Sequence, residues 1–130
     1  MSDNDWLRFF TISAQVMGPG ARLAEDSESW CAWTTFDALQ RSVNYWSAGL
    51  PHESELSSVG TIDGGTWGQP FAYNEIAHLI IPAQFYWERI AANDFTQGVR
   101  HQDIQCLSKA LTESGVPHRL TDLVLEIKLF

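Results

Sequence analysis

The sequence is short of positive charge, of cysteine and of long apolar runs. Eight basic side chains stand against sixteen acidic ones in 130 residues, a formal net charge of −8. Such an excess argues against a nucleic-acid backbone or an anionic membrane as partner, because both repel it. Two cysteines, Cys31 and Cys106, are too few for a disulfide framework. No stretch approaches the roughly 18 uninterrupted apolar residues that a membrane-spanning helix needs. The longest run, around Leu79-Ile80-Ile81, stops at Pro82. The opening Met1-Ser2-Asp3-Asn4-Asp5 is acidic and has neither the basic region nor the apolar run of a secretory signal. These absences predict a soluble, cytoplasmic chain with reduced thiols.

Reaction motifs are also missing. Gly60, Gly64, Gly65 and Gly68 have no following lysine, and Asp63 would repel a phosphate. Neither cysteine belongs to a C-x-x-C pair, and Glu75 and His78 lie three apart in a segment that reads as strand, where they face opposite ways. Cys106, His101 and Asp103 are a poor nucleophile set, because a five-residue spacing does not face on a helix. The clustered acids Glu25/Asp26/Glu28 and Glu53/Glu55 read as solvated loops. No metal, no cofactor and no catalytic set is implied.

What is present is a packed chain. Hydrophobic residues make up 45% of it, too many for a disordered polymer. Its length suits one domain. Alternation of Phe10, Ile12, Ala14 and Val16 with polar neighbours predicts a strand. Phe36, Leu39, Val43 and Trp46 recur at helical spacing, with Thr34 or Thr35 as N-cap and Gly49 and Pro51 as the stop. Residues 55–62 alternate weakly, and 72–81 read as an interior strand. Phe85-Tyr86-Trp87 continue either as a hairpin strand or as a loop. A second helix is predicted from about His101 to Ser114, with Ile104, Leu107 and Leu111 as its stripe. A final strand carries Leu123, Leu125, Ile127 and Leu129, unless Thr121-Asp122 breaks it into a tight hairpin.

Gly49-Leu50-Pro51-His52 matches Gly115-Val116-Pro117-His118 at an offset of 66 residues. Strands and helices predicted at the same offset suggest two halves, about 1–65 and 66–130. The expected fold is α+β: a single domain of two β-α-β halves, a ferredoxin-like two-layer sandwich with an antiparallel sheet and two helices on one face.

The acidic excess is uneven. Residues 1–88 hold eleven acids and three bases, while 89–130 hold five of each. Six tryptophans are also a surplus, and Trp30, Trp33 and Trp67 fall in connectors or near strand ends. Aromatics beside carboxylates suit a basic, arginine-rich partner. The expected function is a non-enzymatic protein-binding module. Its most concrete form is a small acidic bacterial immunity protein or inhibitor that neutralises a basic toxin, such as a nuclease, by direct binding. The expected contact residues are Glu25, Asp26, Glu28, Trp30, Trp33, Glu53, Glu55, Asp63 and Trp67. Charge reversal at Glu25, Asp26 and Glu28, or at Glu53 and Glu55, is expected to weaken binding with little loss of stability. The chain would act as a monomer or homodimer, with no nucleic acid and no membrane as partner. The alternatives are a small-ligand or regulatory ferredoxin-like domain, with its site on the open sheet face, and a small enzyme using His78, His101 or His118 with a carboxylate.

Overall fold

The computed structural model describes residues 1–62 and 64–130; Asp63 lies outside the described residues. Helix α1 spans Asp3–Met17. It replaces the strand expected at Phe10–Val16. The sequence supports two periods here, and the helical one wins because Trp6, Phe9, Phe10 and Ser13 stack on one buried face. The start is fixed by a capping box, in which the Ser2 hydroxyl accepts from the Asp5 amide and the Asp5 carboxylate accepts from the Ser2 amide. Gly18, at φ +87°, ends the helix in a conformation that suits glycine.

Strand β1 (Cys31–Thr35) leads directly into a short helix, α2 (Phe36–Arg41). Thr35 caps it through the Ala38 amide, as expected. The helix ends well before the predicted stop at Gly49. Val43 turns to φ +54° and the chain enters β2 (Trp46–Ala48), which pairs with β1. Pairing with β1 therefore overrides the helical spacing of Phe36, Leu39, Val43 and Trp46. A positive φ is costly for a β-branched residue. Val43→Gly is expected to raise stability by about 1 kcal/mol, measured as the urea midpoint at unchanged slope.

Residues 55–62 form no strand, only isolated bridges from Leu56 to Thr61 and from Gly60 to Ala72. Strand β3 (Ile76–Pro82) is interior, as its two apolar faces predicted. It is followed by a separate hairpin of β4 (Gln84–Ala91) and β5 (Asp94–His101). Helix α3 (Ile104–Glu113) buries the predicted stripe Ile104, Leu107 and Leu111; it is capped by Asp103 and begins later than expected, because His101 closes β5. The chain closes with β6 (Arg119–Leu120) and β7 (Val124–Lys128), so the break at Thr121-Asp122 is the one that forms.

The five-stranded sheet has the order β2-β1-β3-β7-β6, with every pair antiparallel. The fold is mixed α+β with three α-helices among the described residues, compatible with a two-layer sandwich. The observed order, and a helix where the first strand was expected, do not confirm the ferredoxin-like arrangement. The matching Gly-apolar-Pro-His segments follow a strand in one case and a helix in the other. Gly49 serves close approach instead of helix termination, since a Cβ on Gly20 or on Gly49 would collide with the backbone of the other segment.

Helices α1 and α3 pack against each other. Their buried residues join Trp33 of β1, Leu79 and Ile81 of β3, and Leu125 and Ile127 of β7 in one core. Trp33 and Trp67 stack there with ring centroids 3.7 Å apart and an interplanar angle of 9°. No helix among the described residues is long and apolar enough to cross a membrane.

Candidate functional site

The β4–β5 hairpin is a ribbon with two unlike faces. Its strands pair in unbroken register from Gln84–His101 to Ala91–Asp94, so alternate residues point to opposite sides. One face carries Phe85, Trp87, Arg89 and Arg100. The chain at 24–30 lies across it. Trp30 stacks on Phe85, with centroids 5.8 Å apart. The Arg89 guanidinium reaches Glu25 and Asp26, each at 3.2 Å. Arg100 donates to the carbonyls of Ser27 and Glu25, and its guanidinium carbon lies 5.6 Å from the centre of the Trp87 ring. At the root, Gln102 ties the ribbon to the sheet. Its side chain accepts from the Trp30 amide and donates to the carbonyls of Trp30 and Pro82.

These contacts place the residues nominated from sequence. Glu25 and Asp26 are used inside the molecule, as counter-ions of Arg89. Trp30 is half-buried against Phe85. Trp33 and Trp67 are core residues, and the Trp67 indole N–H donates to the Gly49 carbonyl. Glu55 is a loop clamp that accepts from the Thr66 amide and hydroxyl. Glu28 and Glu53 are exposed, the latter accepting from Gln15. Asp63 lies outside the described residues. The eight described residues therefore do not share one setting.

The expectation of little stability loss on charge reversal changes accordingly at Glu25 and Asp26. The double variant Glu25→Lys/Asp26→Lys sets two cations against Arg89 and Arg100. Each exposed pair contributes less than about 1 kcal/mol, so a loss of about 1–2 kcal/mol is expected. Amide exchange across residues 84–101 should accelerate more than across α3.

The second face of the ribbon is uncovered. Tyr86, Ile90, Phe95 and Val99 are 49, 76, 54 and 52% exposed. Tyr86 stands opposite Val99 and Ile90 opposite Phe95, with Glu88 and Gln97 paired between them. The Tyr86 hydroxyl lies 3.0 Å from Glu88 Oε2 and 2.7 Å from Gln97 Oε1. Partial desolvation and the Glu88 carboxylate raise this hydroxyl above the usual tyrosine range. Among the described residues no cation pairs with Glu88. Beside Tyr86 and Glu88 an open cleft of about 480 Å³ runs to Leu23 and Glu25. Sequence reasoning stopped at Phe85-Tyr86-Trp87. The signal that would have exposed this face is the alternation of Tyr86, Glu88 and Ile90 mirrored by Phe95, Gln97 and Val99 around Ala92-Asn93.

A second polar cluster sits on the sheet. Thr34, His78 and Lys128 are in cross-strand register, and Glu126 is paired with Ile80 and Arg119. His78 Nδ1 is 2.7 Å from the Tyr45 hydroxyl, and its Nε2 is 3.5 Å from Glu126 Oε2. His78 and Glu126 are 8 and 9% exposed, and among the described residues Nε2 has no hydrogen-bond partner. Burial and the Glu126 charge raise the Tyr45 hydroxyl above its ordinary value. His118 accepts from, or donates to, Ser108 at 2.7 Å and contacts the Val116 carbonyl at 2.9 Å. Of the thiols, Cys31 is fully buried, which pushes it up and away from thiolate chemistry, while Cys106 is exposed on α3. No three metal-ligating side chains converge among the described residues.

Comparison of this chain with protein families, with curated proteins and with solved structures finds no match.

Proposed function

We propose that this chain is a non-enzymatic protein-binding module that docks a partner with a basic surface on the outer face of its β4–β5 ribbon. The observation that carries the reading is the exposure of Tyr86, Ile90, Phe95 and Val99 on one face of a two-stranded ribbon. Large apolar side chains grouped in this way favour association, and tyrosine and phenylalanine are common interface anchors. Charge sets the kind of partner. The chain carries −8, and the ribbon's own arginines are turned to the opposite face and engaged there. A basic surface would be steered toward the molecule and meet no competing cation on this face. The most concrete form remains a small bacterial inhibitor that neutralises a basic toxin, such as a nuclease.

The test is co-purification with the protein encoded by the adjacent gene. A complex that survives gel filtration should be weakened by Ile90→Asp and by Phe95→Asp at unchanged melting temperature. Both side chains are exposed, so the fold should tolerate the changes. A complex indifferent to both variants would end this reading.

A second reading rests on the Tyr45–His78–Glu126 contacts. A buried histidine nitrogen without a hydrogen-bond partner, beside a nearly buried carboxylate, is the sort of arrangement that handles a proton or a small ligand. His78→Ala separates the two readings. It would abolish a small-molecule isotherm or a turnover under this reading, and leave partner binding intact under the first.

A further inference from the structure

We infer that the ribbon's outer face reads an arginine in an extended protein segment, with Glu88 as the carboxylate that takes the guanidinium. This rests on the protein-binding reading above. Glu88 stands at the middle of the face, flanked along its own strand by Tyr86 and Ile90 and across from Gln97. It is exposed, and among the described residues it has no cationic partner. The nearest bases along the ribbon, Arg89 and Arg100, are committed to Glu25, Asp26 and the Ser27 carbonyl on the other side. A cation for Glu88 must therefore come from another molecule. The surround favours arginine over lysine. Tyr86 adjoins Glu88 on the same face and Phe95 lies diagonally across the pair, within reach of a long side chain. A guanidinium can stack on such rings while donating two bonds to one carboxylate, which an ammonium cannot. Gln97 adds a polar neighbour of the same carboxylate, through the shared Tyr86 hydroxyl.

The form of the segment follows from the backbone. Among the described residues β4 and β5 pair only with each other, so each leaves its outer edge without strand pairing. Unpaired edges accept an added strand. The cleft beside Tyr86 and Glu88, lined also by Leu23, Ala24, Glu25 and Trp87, lies against the middle of β4. A strand laid there would present alternate side chains to this face, so one arginine with apolar neighbours two residues away on each side would match Glu88 between its apolar pairs.

The probe is a blocked nine-residue peptide of alternating valine and threonine with a central arginine, titrated against labelled protein and followed by amide chemical shifts. Shifts centred on residues 86–99 are expected. Replacing arginine by citrulline should weaken binding about ten-fold or more, and lysine should fall between. Glu88→Gln, at unchanged melting temperature, should erase the difference between arginine and citrulline. Equal binding of the two peptides to the unaltered protein overturns the arginine assignment but leaves the ribbon as a docking face. So does an absence of shifts on the ribbon at millimolar peptide, provided the Ile90→Asp and Phe95→Asp variants still weaken the complex with the adjacent gene product. If those variants have no effect either, the protein-binding reading itself has failed.

Discussion

Trp33→Ala is expected to cost about 3–5 kcal/mol, the range for removing a large aromatic from a closed core. Trp33 is 1% exposed. Its ring lies flat on Trp67 and meets Phe71 edge-on at a centroid distance of 5.6 Å. Phe71 also packs edge-on against Trp46 and Trp67, so one deletion strips contacts from several rings. The surrounding strand cannot collapse into the gap, because β1 is held by β2 on one side and β3 on the other. A domain of this size is stable by only about 5–15 kcal/mol. The melting temperature should therefore fall by about 10–20 °C. Trp67→Ala should do nearly the same, and the double variant should lose less than the sum, since the two share one stack. A loss below about 1 kcal/mol would show that this stack is not what closes the core.

Gln102→Leu carries the second large effect. The side chain is 7% exposed and makes three hydrogen bonds, one from the Trp30 amide and two to the Trp30 and Pro82 carbonyls, each at 3.0 Å. Leucine has a similar volume but leaves those partly buried backbone groups without partners. Each such group costs about 1–3 kcal/mol, and a total near 3 kcal/mol is expected. The signature is local as well as global. The amides of β4 and β5 should exchange faster than those of α3, because Gln102 joins the ribbon's root to the end of β3 and the start of β1. If melting drops while the ribbon's exchange keeps its relation to α3, Gln102 supports the core and not the ribbon.

The two variants also mark what can be read from a single chain. Helix α3 was legible because its cues agreed: the Ile104, Leu107 and Leu111 spacing, with Gly115 and Pro117 beyond as a stop. Strand β3 was legible from its two apolar faces. Helix α1 was not, because Phe10, Ile12, Ala14 and Val16 alternate by accident within a helical stripe that starts at Trp6. Val43 and Trp46 fit a helix that strand pairing forbids. The candidate site was harder still. Glu25 and Asp26 look like free acids until Arg89 is seen beside them, and that partner lies more than sixty residues away. Trp33 and Trp67 look like spare aromatics until they stack on each other across thirty-four positions. Long-range pairing decides both cases, and composition carries no trace of it.

The uncovered ribbon has one more consequence, for the colloidal behaviour of the protein. An apolar face with unpaired strand edges is a template on which identical molecules can stack. Mutual repulsion between chains of like charge opposes that encounter, over roughly 8 Å at physiological ionic strength. Near pH 4.7, about where acidic and basic side chains of this composition balance, the net-charge repulsion falls away. The acidic excess that would draw in a basic partner under the proposed reading thus also keeps copies of the chain apart.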